Sequence, residues 1–174
     1  MEKCVVIYKS RTGFTEKYAN WIAEELDCDT YPLENVIHIE LSEYDLIIFG
    51  SGVRGPKMSG INFVDKTLAA FPGKKLIIFA TGATPVHESA AIDRVRTMNV
   101  PKNSGIPFFY FQSGFNYEKM RGLDKLIMTM ARGIMRRMKE KDGMQNSMVA
   151  AMKNSYDHSS RESIEPLVSY IRSL

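Results

Sequence analysis

Ser10, Thr12 and Thr15 place three hydroxyls within six residues, interleaved with Arg11, Gly13 and Phe14. The apolar run Cys4-Val5-Val6-Ile7-Tyr8 precedes them, and an amphipathic run from Glu16 to Leu26 follows. The order is a buried strand, a short loop and a helix. A helix start offers backbone N–H groups without intrahelical partners, at the positive end of the helix dipole. Hydroxyls add donors, and a glycine lets the backbone approach a ligand closely. Residues 10–15 therefore have the chemistry of a phosphate cradle. They lack the lysine and the spacing of the G-x-x-x-x-G-K-[ST] nucleotide loop. The competing reading is a helix cap, with Thr15 and its neighbours serving only the helix.

Two further loops carry small residues. One reads Ser51-Gly52-Val53-Arg54-Gly55-Pro56-Lys57-Met58-Ser59, the other Thr81-Gly82-Ala83-Thr84-Pro85-Val86-His87. Backbone N–H and C=O groups in such loops can reach the polar edge of a flat heterocycle. Arg54 and Lys57 are available to an anionic ring or substrate, or are solvated loop charges. Gly50-x-Gly52-x-x-Gly55 matches G-x-G-x-x-G literally. A dinucleotide site needs its third glycine inside an opening helix, and here Pro56 follows instead. His87 is a weak candidate proton donor; a position at a helix start is the plainer reading. His38, His87 and His158 are scattered without metal-ligand spacing, so no metal is expected.

The elements that must position these residues follow from periodicity. Cys4–Tyr8, Leu46–Gly50, Leu76–Ala80 and Phe108–Gln112 are continuously apolar, as strands covered on both faces are. Asp29–Leu33 is a weaker strand, and Pro32 marks it as a sheet edge. Helices are expected at 14–26, about 61–71, about 88–98 and about 162–173. Ser159 or Ser160 is available to cap the last, with Pro166 in its first turn. Strands alternating with helices predict an α/β doubly wound, five-stranded parallel sheet, with ligands beyond the C-terminal strand ends. No linker or repeat divides the chain, so a single domain over 1–174 is expected, with a helical insertion at about 116–158 before the last helix.

Composition narrows the class. The 174 residues suffice for a full core, and no run of about 18 apolar residues suggests a membrane span. Met1-Glu2-Lys3-Cys4 does not begin a signal peptide. Cys4 and Cys28 read as buried free thiols in a reducing cytoplasm. The net charge is +3, but residues 119–141 hold eight basic against two acidic side chains, leaving the rest of the chain mildly acidic. Eight of the eleven methionines fall between Met120 and Met152. On a helix, Leu123, Leu126, Ile127, Met130, Ile134 and Met138 share one stripe, with Lys125, Arg132, Arg136 and Arg137 among its cations. That helix either packs on the domain or on a second subunit, giving a homo-oligomer, or meets a membrane surface or a hydrophobic anionic substrate. Without interleaved aromatics, nucleic acid is not expected.

Ser10-Arg11-Thr12-Gly13-Phe14-Thr15 resembles the [ST]-x-T-G-x-T phosphate loop of flavodoxins, with Arg11 in the variable place. Together with Tyr44-Asp45-Leu46-Ile47-Ile48-Phe49-Gly50-Ser51-Gly52-Val53-Arg54 and Leu123-Asp124-Lys125-Leu126-Ile127-Met128-Thr129-Met130, it resembles the flavodoxin-domain group that includes the menaquinone-dependent protoporphyrinogen dehydrogenases. The resemblance implies a flavodoxin-like strand order, 2-1-3-4-5, and flavin mononucleotide (FMN) as cofactor. It implies that Ser10, Arg11, Thr12, Gly13, Phe14 and Thr15 hold the phosphate. The ring would lie between Ser51, Gly52, Val53, Arg54 and Gly55 on one side and Thr81, Gly82 and Ala83 on the other, with Gly114 and Phe115 closing an edge. It further implies oxidation of a porphyrinogen with electrons passed to quinone, at the inner face of a membrane, and a role for the insertion in substrate or membrane binding. The chain departs from that group after the fifth strand, where it reads Ser113-Gly114-Phe115-Asn116-Tyr117-Glu118, and it lacks aromatics near Arg54. Two other classes stand beside this enzyme: a soluble flavodoxin-type electron carrier serving protein partners, and a scaffold without flavin.

Overall fold

The computed structural model describes residues 3–116, 118–119, 129–130 and 155–174. The chain divides into two compact units, residues 1–113 with 159–174, and residues 114–158.

The larger unit is built on five parallel strands. These are β1 (Cys4–Lys9), β2 (Asp29–Pro32), β3 (Leu46–Arg54), β5 (Lys75–Gly82) and β6 (Phe108–Gln112), in the order β2-β1-β3-β5-β6. A two-residue strand, β4 (Lys57–Met58), folds back antiparallel on the end of β3. Counting only the parallel strands, the order is the expected 2-1-3-4-5, and the strand marked by Pro32 lies at an edge. The fold is α/β and flavodoxin-like.

Helices cover both faces. One face packs Val6, Leu46, Ile48 and Phe79 against α1 (Phe14–Leu26) and α4 (Glu165–Arg172). The other packs Val5, Ile7, Phe49 and Ile78 against α2 (Asn62–Ala70) and α3 (Ser89–Asn99). The continuous apolar runs thus belong to strands that bury alternate residues in two separate cores. On α1, Tyr18, Ala19, Ile22, Ala23 and Leu26 form the buried stripe. Each large side chain fully buried there contributes about 1.5–3 kcal/mol. Asp27, in the left-handed region at φ 49°, ends the helix, and the Cys28 N–H donates to the Ala23 carbonyl. Pro166 falls in the first turn of α4, where its missing N–H costs nothing. Ser160 precedes the short 3-10 turn Arg161–Ile164, but its hydroxyl bonds Glu162 rather than capping backbone.

Two strands run past their apolar segments. β3 continues through Ser51–Arg54, where a loop was expected, and β5 continues through Thr81–Gly82. Ser51 pairs with Ala80 and Gly52 with Thr81. The ladder is made by backbone, so it persists after the side chains turn small and polar, and hydrophobicity marks only its buried part.

Tyr18 ties the far end of the sheet together. Its ring stacks on Phe111 at 5.0 Å and meets Trp21 edge-on at 5.3 Å. Its hydroxyl donates to the Gln112 carbonyl at 2.5 Å and accepts the Ser160 N–H at 3.2 Å. These are the points where the chain leaves for residues 114–158 and returns.

In the smaller unit, β7 (Gly114–Phe115) pairs antiparallel with β8 (Tyr156–Asp157), and Phe115 stacks on Tyr156 at 6.4 Å. Thr129 and Met130 are helical. The rest of the expected stripe, with Lys125, Arg132, Arg136 and Arg137, lies outside the described residues. Among the described residues no helix is long and apolar enough to cross a membrane.

Candidate functional site

β1, β3 and β5 are neighbours and parallel, so their C-terminal ends bring three segments to one edge of the sheet: residues 10–15, 51–55 and 81–83. The first turns from strand to helix on Gly13, which lies at φ 93°, a left-handed conformation that side chains disfavour. The Ser10 hydroxyl accepts the Gly13 N–H at 3.2 Å and closes the loop. α1 begins at Phe14 with no side-chain cap, and its ladder starts with the Lys17 N–H donating to the Gly13 carbonyl. The N–H groups of residues 14–16 therefore have no partner within the helix.

The hydroxyls of this loop do not serve as a helix cap. Thr15, 3% exposed, shares a 2.8 Å hydrogen bond with the hydroxyl of Thr81, also 3% exposed. Gly52 lies beside that pair: a Cβ on it would stand 3.4 Å from the Thr15 hydroxyl. The three segments are thus joined at one buried point. Arg11 is exposed, and Thr12 and Phe14 are half-buried. Open helix N–H groups, adjacent hydroxyls and an arginine form a donor set suited to a dianionic phosphate ester. Glu16 is the one acid in the first turn, and its carboxylate accepts the Tyr8 hydroxyl at 3.3 Å. Burial, and then Glu16, push the Tyr8 phenol above its ordinary pKa. Lys9, the last residue of β1, pairs with Glu34, whose carboxyl that hydrogen bond holds below its ordinary pKa.

Residues 51–58 form a hairpin rather than an open loop. Val53 pairs with Met58 and Arg54 with Lys57, leaving Gly55-Pro56 as a two-residue turn. Gly55 has φ 58°, the choice of a turn that needs glycine in its first central place. Its position in a hairpin excludes the dinucleotide reading of the three glycines. The Ser51 hydroxyl donates to the Ser59 carbonyl at 2.7 Å, and the Ser59 N–H donates to Gly52. After β5, the Tyr110 hydroxyl donates to the Thr84 carbonyl at 3.0 Å and fixes the course of residues 82–84. His87 is exposed just ahead of α3, 3.7 Å from Glu88. Gly114 and Phe115 belong to the smaller unit. Among the described residues no three His, Cys, Asp or Glu side chains gather as metal ligands.

Sequence reasoning missed Asn99, Tyr110 and Tyr18. Asn99 sits at the end of α3, 7% exposed, and bonds the hairpin. An asparagine closing a helix reads as a C-cap, and nothing in its spacing points to residues forty positions away.

Against known proteins, the model of the flavodoxin domain matches residues 5–146. The chain belongs to the flavodoxin-domain family. An uncharacterised protein of Methanocaldococcus jannaschii is 39% identical to this flavodoxin-domain chain over 90 residues, which is 50% of the chain and 59% of that relative. The match thus spans less than two thirds of that protein's length. Among solved structures, a flavoprotein from Lactobacillus acidophilus in complex with FMN is 17% identical, with TM-score 0.46 over 64% of this chain and 93% of its own. The Trp repressor binding protein of Bacillus subtilis is 18% identical, with TM-score 0.44 over 80% of this chain and 100% of its own. An archaeal flavodoxin is 19% identical, with TM-score 0.38 over 63% and 84%.

Proposed function

We propose that this flavodoxin-domain chain is an FMN-binding oxidoreductase. The observation that carries the reading is the start of α1, whose first N–H groups have no partner within the helix and follow Ser10 and Thr12 at the C-terminal edge of the sheet. Ser10, Thr12 and the N–H groups of Phe14 and Thr15 would hold the phosphate, with Gly13 shaping the turn and Arg11 at its exposed side. Ser51–Gly55 and Thr81–Ala83 would flank the ring, offering backbone donors and acceptors rather than bulky side chains. Arg54 and Lys57 would favour negative charge on the ring or on a substrate. Bound FMN supplies the electron transfer; the chain's part is to orient it, set its potential and admit a partner.

The finer reading is a quinone-linked oxidation of a hydrophobic, anionic substrate of the protoporphyrinogen kind, at a membrane surface. It is supported by the resemblance of the 123–130 segment and by the cations and methionines of residues 119–152. A soluble carrier for protein partners is the second reading, favoured by the acidic balance of the chain outside residues 119–141.

The test is the visible spectrum of the purified chain before and after adding FMN and gel filtration. A retained, shifted flavin spectrum is expected, and Thr12→Val and Gly13→Val should each weaken retention at least tenfold. A protein that cannot retain FMN would sink the reading. With FMN in place, direct anaerobic turnover of quinone favours the enzyme. Reduction only by a flavodoxin reductase, with no such turnover, favours the carrier.

A further inference from the structure

Asn99 is the last residue of α3, and its side chain is almost wholly buried. A polar group so placed must be satisfied by hydrogen bonds or it destabilises the fold. Asn99 makes three. Its Oδ1 accepts the Met58 N–H at 2.8 Å, and its Nδ2 donates to the Pro56 carbonyl at 2.7 Å and to the Val95 carbonyl at 2.6 Å. Only the last stays within its helix. The other two grip the β3–β4 hairpin on both sides of Lys57, one at the turn and one on the returning strand.

The hairpin needs a hold from outside. β4 is two residues long, too short to be stable by its own pairing. Its register sets Arg54 directly opposite Lys57, and like charges across an antiparallel pair repel. Ser51 and Gly52 fix the base of the hairpin through Ser59, and Asn99 fixes its tip. The tip of the hairpin, which carries Arg54 and Lys57, is therefore held from α3, and its base from β5 and Ser59.

We propose that Asn99 is a positioning residue for the flavin site: by clamping Pro56 and Met58 it holds the backbone of Gly52–Gly55 and the cations Arg54 and Lys57 at the rim of the ring site. This rests on the FMN reading above. A held pair of cations favours the reduced, anionic cofactor over the oxidised one. Releasing them weakens binding of the reduced form more than the oxidised form and lowers the midpoint potential.

The experiment compares the wild-type chain with Asn99→Ala and Asn99→Asp. Three quantities are read: exchange of the Met58 amide without FMN, the Kd for FMN, and the two-electron midpoint potential of the bound flavin. Asn99→Ala should speed Met58 exchange about tenfold to a hundredfold, the loss expected for a buried hydrogen bond, whereas Asn99→Asp keeps an acceptor for that amide and loses the donor to Pro56 and Val95. The potential should fall by about 30 mV, which is a tenfold loss of preference for the reduced cofactor. Asn99→Asp should recover at acid pH, because the neutral acid can again donate to Pro56 while accepting from Met58; Asn99→Ala should not. If the alanine variant fails to fold, the aspartate variant, of nearly the same size, carries the test. Faster exchange with unchanged Kd and potential would make Asn99 a fixture of the fold and overturn the proposal. So would equal Kd and potential in all three proteins. A wild-type chain that retains no FMN would instead overturn the cofactor reading, and this proposal with it.

Discussion

The hydroxyls of Thr15 and Thr81 lie 2.8 Å apart, one on the first turn of α1 and the other near the end of β5, 66 residues away in sequence. Neither is open to solvent, so each is the other's replacement for water. This bond fixes the distance between the start of α1 and the end of β5, and Gly52 of β3 lies beside it. Losing one hydroxyl should cost more than losing both. Thr15→Val or Thr81→Val leaves a buried group unsatisfied and should destabilise by about 1–3 kcal/mol, while the double variant should recover part of that loss. Urea unfolding of the four proteins measures the coupling, and additive losses would show that the two groups do not depend on each other.

Thr30 is the opposite case. Its hydroxyl oxygen is buried in β2 with no hydrogen-bond partner, among the described residues. Thr30→Val removes that group at nearly constant shape and puts a better strand former in its place. Stability should rise by about 1 kcal/mol in the same unfolding experiment, with FMN retention unchanged.

Stability should fall as the pH is raised into the alkaline range. The Cys28 thiol is pushed far up by the Cys4 thiol it interacts with and by burial, while the same interaction holds Cys4 down. The Tyr44 phenol is pushed up by burial and by its hydrogen bond to Asp29, which it donates at 2.7 Å. Both are acids whose neutral form the fold prefers. Above the ordinary thiol pKa of about 8.5, the unfolded chain loses these protons while the folded one keeps them. The unfolded state then binds fewer protons, so stability falls as pH rises, first through the thiol range and then, near pH 10, through the phenol range. Cys28→Ser should remove the earlier part of the decline and Tyr44→Phe the later part. Iodoacetamide at pH 8 should label the folded chain slowly and the urea-unfolded chain fully at both cysteines.

Tyr18→Phe keeps the ring stack on Phe111 and deletes one oxygen. The Ser160 N–H and the Gln112 carbonyl lose their shared partner, at a cost of about 1–3 kcal/mol. Limited proteolysis should show faster cleavage near residues 113 and 159, with cleavage elsewhere in the larger unit little changed.

The strands were legible because buried parallel strands are written as unbroken apolar runs, such as Cys4–Tyr8 and Leu76–Ala80, whereas their order came from the resemblance to flavodoxins. The turn from β1 into α1 was legible because its residues are contiguous: Ser10 to Thr15 carry their own turn, hydroxyls and helix start. What escaped was structure made by backbone or by distant partners. Ser51–Arg54 looked like a loop because its side chains are small and charged, although its peptide groups continue the ladder. The partnership of Asn99 with Met58 joins a helix end to a turn, and no periodicity records such a pairing. Tyr18 was visible only as one more residue on an amphipathic stripe.

The phenol of Tyr18 touches the chain on its way out at Gln112 and on its way back at Ser160. Exit and return are therefore neighbours, and the core does not depend on how much chain is spent between them. Closing a longer loop costs only about 0.6 kcal/mol for each doubling of its length. A lineage could lengthen, shorten or exchange residues 114–158 with little effect on the sheet or the cradle. At that doorway the fold works as a socket: what is plugged in can change while the sheet that carries it stays the same.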